Sequence, residues 1–325
     1  MVTRRGFLRN GGIGGVAALA GCAGAGGPVG NSSGSGGSTG STGTVVVGSK
    51  TFAENRILGY MAYEALSELT DLRVVDEIGY GATSAAWEGL TQGSLDLYWE
   101  YTGTLRLTHP PAREELVPDP DEQFSTARET VESEYDLAVL SRAPFNNTYT
   151  IVTTPDWTDL TGIASLSGLA DHVNAGNTDE TIALGPSFYD RADGWPGLLD
   201  HYGFDPDATR AWGGSVEVVS LGLTYEFLAA GQADLAMGFL TDGRIGVDGF
   251  EPLADDERFW PIYSPCPCVS STLVEEHPAV RDALDRIGPT IDGADRIRKL
   301  NAAVTMEGRS ARDVARDHLT EEGVI

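Results

Sequence analysis

From residue 44 onward, short apolar runs take turns with longer stretches whose apolar residues recur every three or four positions. Val45-Val46-Val47, ending in Gly48-Ser49-Lys50, has the unbroken apolar run of a buried strand entering a turn. Between residues 54 and 68, Ile57, Leu58, Met61, Ala62, Ala65 and Leu66 fall on one face at helical period, which predicts a helix. Residues 72–78 predict a second strand, 84–92 a second helix stopped at Gly93, and 95–101 a third strand. Strand and helix in strict turn mark an α/β fold with a parallel sheet. Beyond an acidic, proline-containing stretch, the pattern predicts a helix at 121–135 and strands at 136–140 and 148–153. The alternation then resumes with strands at 181–184, 216–219 and 233–239 around helices at 194–202 and 223–230. Strands at 259–263 and 269–273 and three helices, 277–287, 292–304 and 310–321, complete the chain.

One plan occurs twice. Residues 85–97 and 225–236 each run from an amphipathic helix through a glycine stop to a strand carrying Asp-Leu. Two similar α/β units predict two similar lobes. Ligands of open α/β sheets settle outside the carboxyl ends of the strands, so facing lobes place those ends around a shared cleft.

The N-terminus reads as an address. Arg4-Arg5 precedes a small, apolar run from Gly11 to Ala20, shorter than the roughly 20 residues a membrane span needs. A twin-arginine export signal over 1–21 is expected. Leu19-Ala20-Gly21-Cys22 resembles a lipoprotein-processing site, with Cys22 as the lipidated residue, and an uncleaved signal anchor is the alternative. Residues 22–43 are dominated by Gly, Ser, Ala and Thr and are expected to form a flexible tether. Either anchor holds the protein at the outer face of the cell membrane.

Charge narrows the partners. The formal net charge is −26, with 48 acidic against 22 basic residues. Such a chain lacks the basic footprint that nucleic acid requires. Lysine occurs only at Lys50 and Lys299, and an acidic, lysine-poor chain has the look of a halophile's protein. The five histidines stand apart without metal-ligand spacing, and Gly-x-Ser-x-Gly at 30–34 lies in the tether, where no nucleophile elbow forms. Neither catalysis nor a cofactor or metal is expected. Cys266-Pro267-Cys268 is too closely spaced for a relaxed disulfide and has no further ligand nearby, so two small buried residues are expected there.

Five ordered segments carry a resemblance. Val47-Gly48-Ser49-Lys50-Thr51-Phe52-Ala53-Glu54-Asn55, Asp96 to Thr104, Phe145-Asn146-Asn147-Thr148-Tyr149, Gly185 to Gly194 and Thr241 to Ile245 are similar to segments of the substrate-binding proteins of osmoprotectant ABC importers. Those proteins take up glycine betaine, choline, carnitine or proline betaine. The resemblance implies a two-lobed, type II periplasmic-binding-protein-like fold: lobe one from 44–147 plus 252–325, lobe two from 148–251, and crossovers near 146–150 and 248–252. It implies an ABC permease with its ATPase as partner, and a monomer is expected.

A trimethylammonium head carries charge but no N–H donor, so aromatic faces suit it. By motif position the resemblance implies an aromatic box of Tyr101, Tyr149, Phe239 and Tyr263, with Phe239 standing where relatives often have tyrosine. It implies Lys50, Arg191 and Thr104 at the ligand carboxylate, Asn147 near the cationic head where some relatives carry aspartate, and Asn55 as a further cleft polar group. Tyr98 is expected to pack within a lobe. The alternatives are a site for another cationic or zwitterionic solute such as an amino acid or polyamine, an enzyme with acids in the cleft, and a receptor for a sensing partner.

Overall fold

The computed structural model describes residues 43–113, 115, 117–190 and 194–325. The export signal, most of the tether, Cys22 and Arg191 lie outside the described residues. In chain order the strands are β1 (Thr44–Lys50), β2 (Arg73–Gly81), β3 (Leu97–Tyr101), β4 (Leu137–Val139), β5 (Tyr149–Thr153), β6 (Ile182–Leu184), β7 (Val216–Val218), β8 (Leu235–Phe239), β9 (Glu251–Pro252) and β10 (Pro265–Ser270). They form two sheets, ordered β2-β1-β3-β10-β4 and β7-β6-β8-β5-β9.

The two sheets share one plan. In the first, β1 runs parallel to β2 and β3, and β10 runs antiparallel to β3 and β4. In the second, β6 runs parallel to β7 and β8, and β5 runs antiparallel to β8 and β9. The repeated stretches occupy equivalent places: helix Thr83–Thr91 leads to β3 and helix Leu221–Ala229 leads to β8, each the central strand of its sheet.

Each sheet has its own core. Val45, Val47, Leu97 and Trp99 pack with Ile57, Leu58 and Met61 of helix Ala53–Leu69, whose stripe is the one the sequence predicts. In the second core, Ile151, Leu184 and Leu235 pack with Trp195 and Trp212. Full burial of such a side chain contributes about 1.5–3 kcal/mol.

Three expectations are corrected. Residues 259–263 form no strand, because the Phe259 and Trp260 N–H groups donate to the Asp255 carboxylate at 2.8 and 3.0 Å. The strand expected at 269–273 lies at Pro265–Ser270 and gives way to helix Ser271–Glu276. Two prolines argue against a central strand, but here their carbonyls accept from Leu140 and Ala143 at 2.9 and 2.8 Å. The return crossover also falls later than 248–252, since Leu253 and Trp260 pack in the second core. Stretch 154–180, for which the pattern named no element, holds helices Pro155–Thr161 and Leu166–Asn174, opened by side-chain caps from Thr154 and Ser165.

The two passages between the sheets run side by side. Asn147 N–H donates to Tyr263 O at 3.0 Å, and Tyr263 N–H donates to Asn146 Oδ1 at 2.7 Å. A third contact joins the sheets' surroundings: the segment leaving β8 docks on helix Ala294–Thr305. There Arg298 Nε donates to Leu240 O at 2.7 Å, and a Cβ on Gly243 would lie 2.6 Å from the Ala302 backbone. Cys266 and Cys268 are free and fully buried in β10.

Candidate ligand-binding site

The carboxyl ends of β1, β3 and β8 and the start of β5 surround a cavity of about 390 Å³. Tyr101, Tyr149, Phe239 and Tyr263 all line it. Tyr101 closes β3 and Phe239 closes β8. Antiparallel register sets Tyr149 directly opposite Phe239, and their rings stack with centroids 5.1 Å apart. Phe188 braces Tyr149 from behind at 5.3 Å. Tyr263 arrives on the segment before β10, where Thr102 N–H donates to Ser264 O at 2.9 Å.

Gly103 lets that tyrosine approach. A Cβ there would lie 2.6 Å from the Tyr263 ring and 2.8 Å from Ile262 O. Gly103→Ala is therefore expected to displace Tyr263 and weaken ligand binding about tenfold, with a stability cost of about 1–3 kcal/mol for overpacking. Parallel calorimetry and thermal melts check this, and an unaltered affinity would show that Tyr263 is not needed as a wall.

Phe52 also lines this cavity, 42% exposed and 6.0 Å from the Tyr101 ring. Sequence reasoning quoted it within a motif and assigned it nothing. Its place in the turn after β1, at the carboxyl end of a strand, was the available signal.

Lys50 and Thr104 line the same cavity, and both are at least nine-tenths buried. Lys50 is not a bare cation: its Nζ lies 2.5 Å from Glu100 Oε1 and 5.3 Å from the Tyr101 ring centroid. An ammonium has three donors, and Glu100 takes one. Glu100, which the sequence reading left out, also accepts from Tyr98 Oη and Tyr101 N–H, both at 2.8 Å, and lies 3.0 Å from His109 Nε2. His109 in turn stacks on Trp87 with centroids 4.0 Å apart. Burial pushes the Glu100 carboxyl up, but the Lys50 ammonium and His109 outweigh it and hold it below the usual carboxylate range. Tyr98 is fully buried, as expected of lobe packing.

A second cavity of about 400 Å³ shares Phe52, Asn147 and Phe239 with the first. Glu54 and Asn301 line it, and neither was singled out from sequence. Glu54 Oε1 accepts from Tyr101 Oη at 2.8 Å and Asn147 Nδ2 at 2.9 Å, and Oε2 accepts from Asn301 Nδ2 at 3.1 Å. Burial raises the Glu54 carboxyl above its ordinary value, and hydrogen bonds from Thr241, Tyr101, Asn301 and Asn147 only partly offset this. Burial and the Glu54 charge push the Tyr101 phenol well up, which keeps it a donor. Asp242, which lines the same cavity, caps helix Gly243–Val247 by accepting from Arg244 N–H at 2.9 Å.

Asn55 is corrected. Its side chain is wholly buried and ties β1 to β3, accepting from Lys50 N–H at 2.6 Å and donating to Trp99 O at 2.8 Å. Both ends of the amide are occupied by backbone, and it lines neither cavity.

A model of the OpuAC family, the substrate-binding domain of ABC-type glycine betaine transport systems, matches residues 43–321. The chain belongs to this family. This OpuAC-family protein is 35% identical over 287 residues to the chemotactic signal transduction system substrate-binding protein CosB of Halobacterium salinarum, covering 87% of this chain and 85% of CosB. It is 30% identical over 289 residues to a glycine-betaine-binding protein of Pseudomonas aeruginosa, covering 87% and 89% of the two chains. Among solved structures it is similar to apo YehZ from Escherichia coli, with a TM-score of 0.73 and 27% identity over 88% of this chain and 100% of that one. OpuAC-family members are extracytoplasmic solute-binding proteins of ABC transporters, which places this one among binding proteins and not enzymes. Among the described residues, no helix is long and apolar enough to cross a membrane.

Proposed function

We propose that this protein captures a small quaternary-ammonium osmolyte (glycine betaine, choline, carnitine or proline betaine) in the box of Tyr101, Tyr149, Phe239 and Tyr263. The observation that carries the reading is that these four rings, contributed from both sheets and from the segment joining them, line one cavity. A cavity of about 390 Å³ falls within the usual span for small-molecule sites. A methylated cation has nothing to donate, and aromatic faces attract it by about 0.5–2 kcal/mol each. The remaining donors of Lys50, the Thr104 hydroxyl and Arg191 serve the carboxylate of a betaine. The lobes are 44–147 with 261–325, and 148–260, the stretch 251–260 being counted to the second by its pairing and packing. They close on the ligand by a hinge, and the closed form is handed to an ABC permease and its ATPase. Lipid on Cys22 tethers the protein outside the membrane.

The likeness to CosB favours a second reading, in which a sensory transducer reads the loaded protein instead of, or beside, a permease. Ligand capture is common to both. Comparing labelled-osmolyte uptake with attractant response in cells lacking the protein separates them.

The test is calorimetric titration of the mature domain, in high salt, with glycine betaine, choline, carnitine, proline and arginine. Saturable one-to-one binding of at least one quaternary amine, and none of arginine, is expected. Stoichiometric binding of arginine or proline, with no response to any quaternary amine, overturns the reading.

A further inference from the structure

Glu54 is a buried carboxylate, 3% exposed, that touches a wall of the box without being one. Its three side-chain donors come from three parts of the chain: Tyr101 at the end of β3, Asn147 in the passage between sheets, and Asn301 on helix Ala294–Thr305. Asn301 Nδ2 also donates to Thr241 O at 2.8 Å, so the helix and the segment leaving β8 are joined at the same point. Two of the contacts lie at or beside an aromatic wall, and Asn301 reaches a third through Thr241. Tyr101 is itself a wall, Asn147 stands two residues before Tyr149, and Thr241 stands two residues after Phe239.

We infer that Glu54 is a positioning residue for ligand capture, a clasp that sets the spacing between the aromatic walls contributed by the two sheets. This rests on the reading of those walls as the ligand box. A carboxylate is the group the geometry calls for: ionised, it offers about four lone-pair sites and no donor, enough to accept from all three converging donors. Hydrogen bonds to a charged acceptor are also roughly twice as strong as neutral ones. A glutamine at this position would present one oxygen and turn two N–H groups towards groups that already donate.

Calorimetry of Glu54→Gln with glycine betaine and choline tests the clasp. Affinity for both ligands is expected to fall together, by about 10- to 100-fold, the size expected for losing charge-assisted hydrogen bonds. Tyr101→Phe keeps the ring, removes only the hydroxyl that Glu54 holds, and is expected to fall similarly. Because the two groups act through one contact, the double variant should fall little further than the worse single variant. A merely structural Glu54 would lower the melting temperature and leave the affinity of the folded protein unchanged, which overturns the inference, as would fully additive losses. If Glu54→Gln does not fold, Asn301→Ala reads the same node from the other side, and unchanged affinity there overturns it too. Wild-type protein that binds no quaternary amine brings down the box reading and the clasp with it. Tight wild-type binding with equally tight binding by Glu54→Gln leaves the box standing and removes the clasp alone.

Discussion

Glu100→Ala is expected to destabilise the protein by about 3–5 kcal/mol, the cost of leaving one member of a buried ion pair uncompensated. Glu100 is fully enclosed, and the Lys50 ammonium beside it is 5% exposed. The substitution strands that charge and also leaves Tyr101 N–H and the Tyr98 hydroxyl without their acceptor. Urea denaturation at neutral pH reads the loss, and a cost below about 1 kcal/mol would mean the pair contributes no more than a surface bridge. Pairing Glu100→Leu with Lys50→Met removes both charges, and much of the stability is expected to return.

The pH dependence carries the same signature. The Glu100 carboxyl is held low in the folded protein, so its contribution is present above the ordinary glutamate value and is lost as pH falls through the depressed one. Glu54 has the opposite sign. Its raised carboxyl gives a contribution that is full below the ordinary value and is lost as pH rises through the raised one. Acid sensitivity from this pair of carboxylates therefore belongs to Glu100, and Glu100→Ala should flatten the acid limb of a stability profile. An acid limb unchanged in that variant would assign it to other carboxylates.

Tyr149→Ala is expected to lower affinity for glycine betaine and choline alike by about 100-fold. In the proposed box the ring would supply one aromatic face to the cation, about 2 kcal/mol when desolvated. It also holds Phe239 by stacking at 5.1 Å, and such a pair contributes about 0.5–1.5 kcal/mol beyond its area. Losing both gives about 3 kcal/mol, or about two decades of affinity. The loss should be equal for the two ligands because the proposed box sets this wall against the trimethylammonium head they share. Tyr149→Phe keeps the face and should retain most of the affinity. Calorimetry in high salt decides, where long-range charge effects are screened and short-range contacts dominate. Wild-type affinity in Tyr149→Ala would remove the box.

Much of the scaffold was legible because its signals are local. The run Val45-Val46-Val47 and the stripe Ile57-Leu58-Met61 declare a strand and a helix from neighbouring residues alone, and both form as read. The recurrence of helix, glycine and Asp-Leu strand announced two similar units, and β3 and β8 take matching places in two sheets of one plan. Strand β10 was misplaced because prolines at 265 and 267 speak against a central strand, whereas here their carbonyls are what the neighbouring segment uses. Helices Pro155–Thr161 and Leu166–Asn174 went unread because each is short and is declared by its cap more than by a long apolar stripe.

The site divides along the same line. Tyr101, Tyr149, Phe239 and Tyr263 could be named from motif position, and they come together in one cavity. Asn55 could be named but not placed, since only the packed β1 and β3 show that both ends of its amide are taken by backbone. In a chain with 48 acidic residues, Glu54 and Glu100 look like any surface carboxylate. What the sequence alone determined is the alternation of elements, the two-unit plan and the residue types on offer, because periodicity and turn chemistry are written in adjacent positions. The tertiary structure alone decided which carboxylates lie buried, that Lys50 is paired, and that donors from three distant segments meet on Glu54, because desolvation and hydrogen bonding depend on neighbours that only folding brings within 3 Å or so.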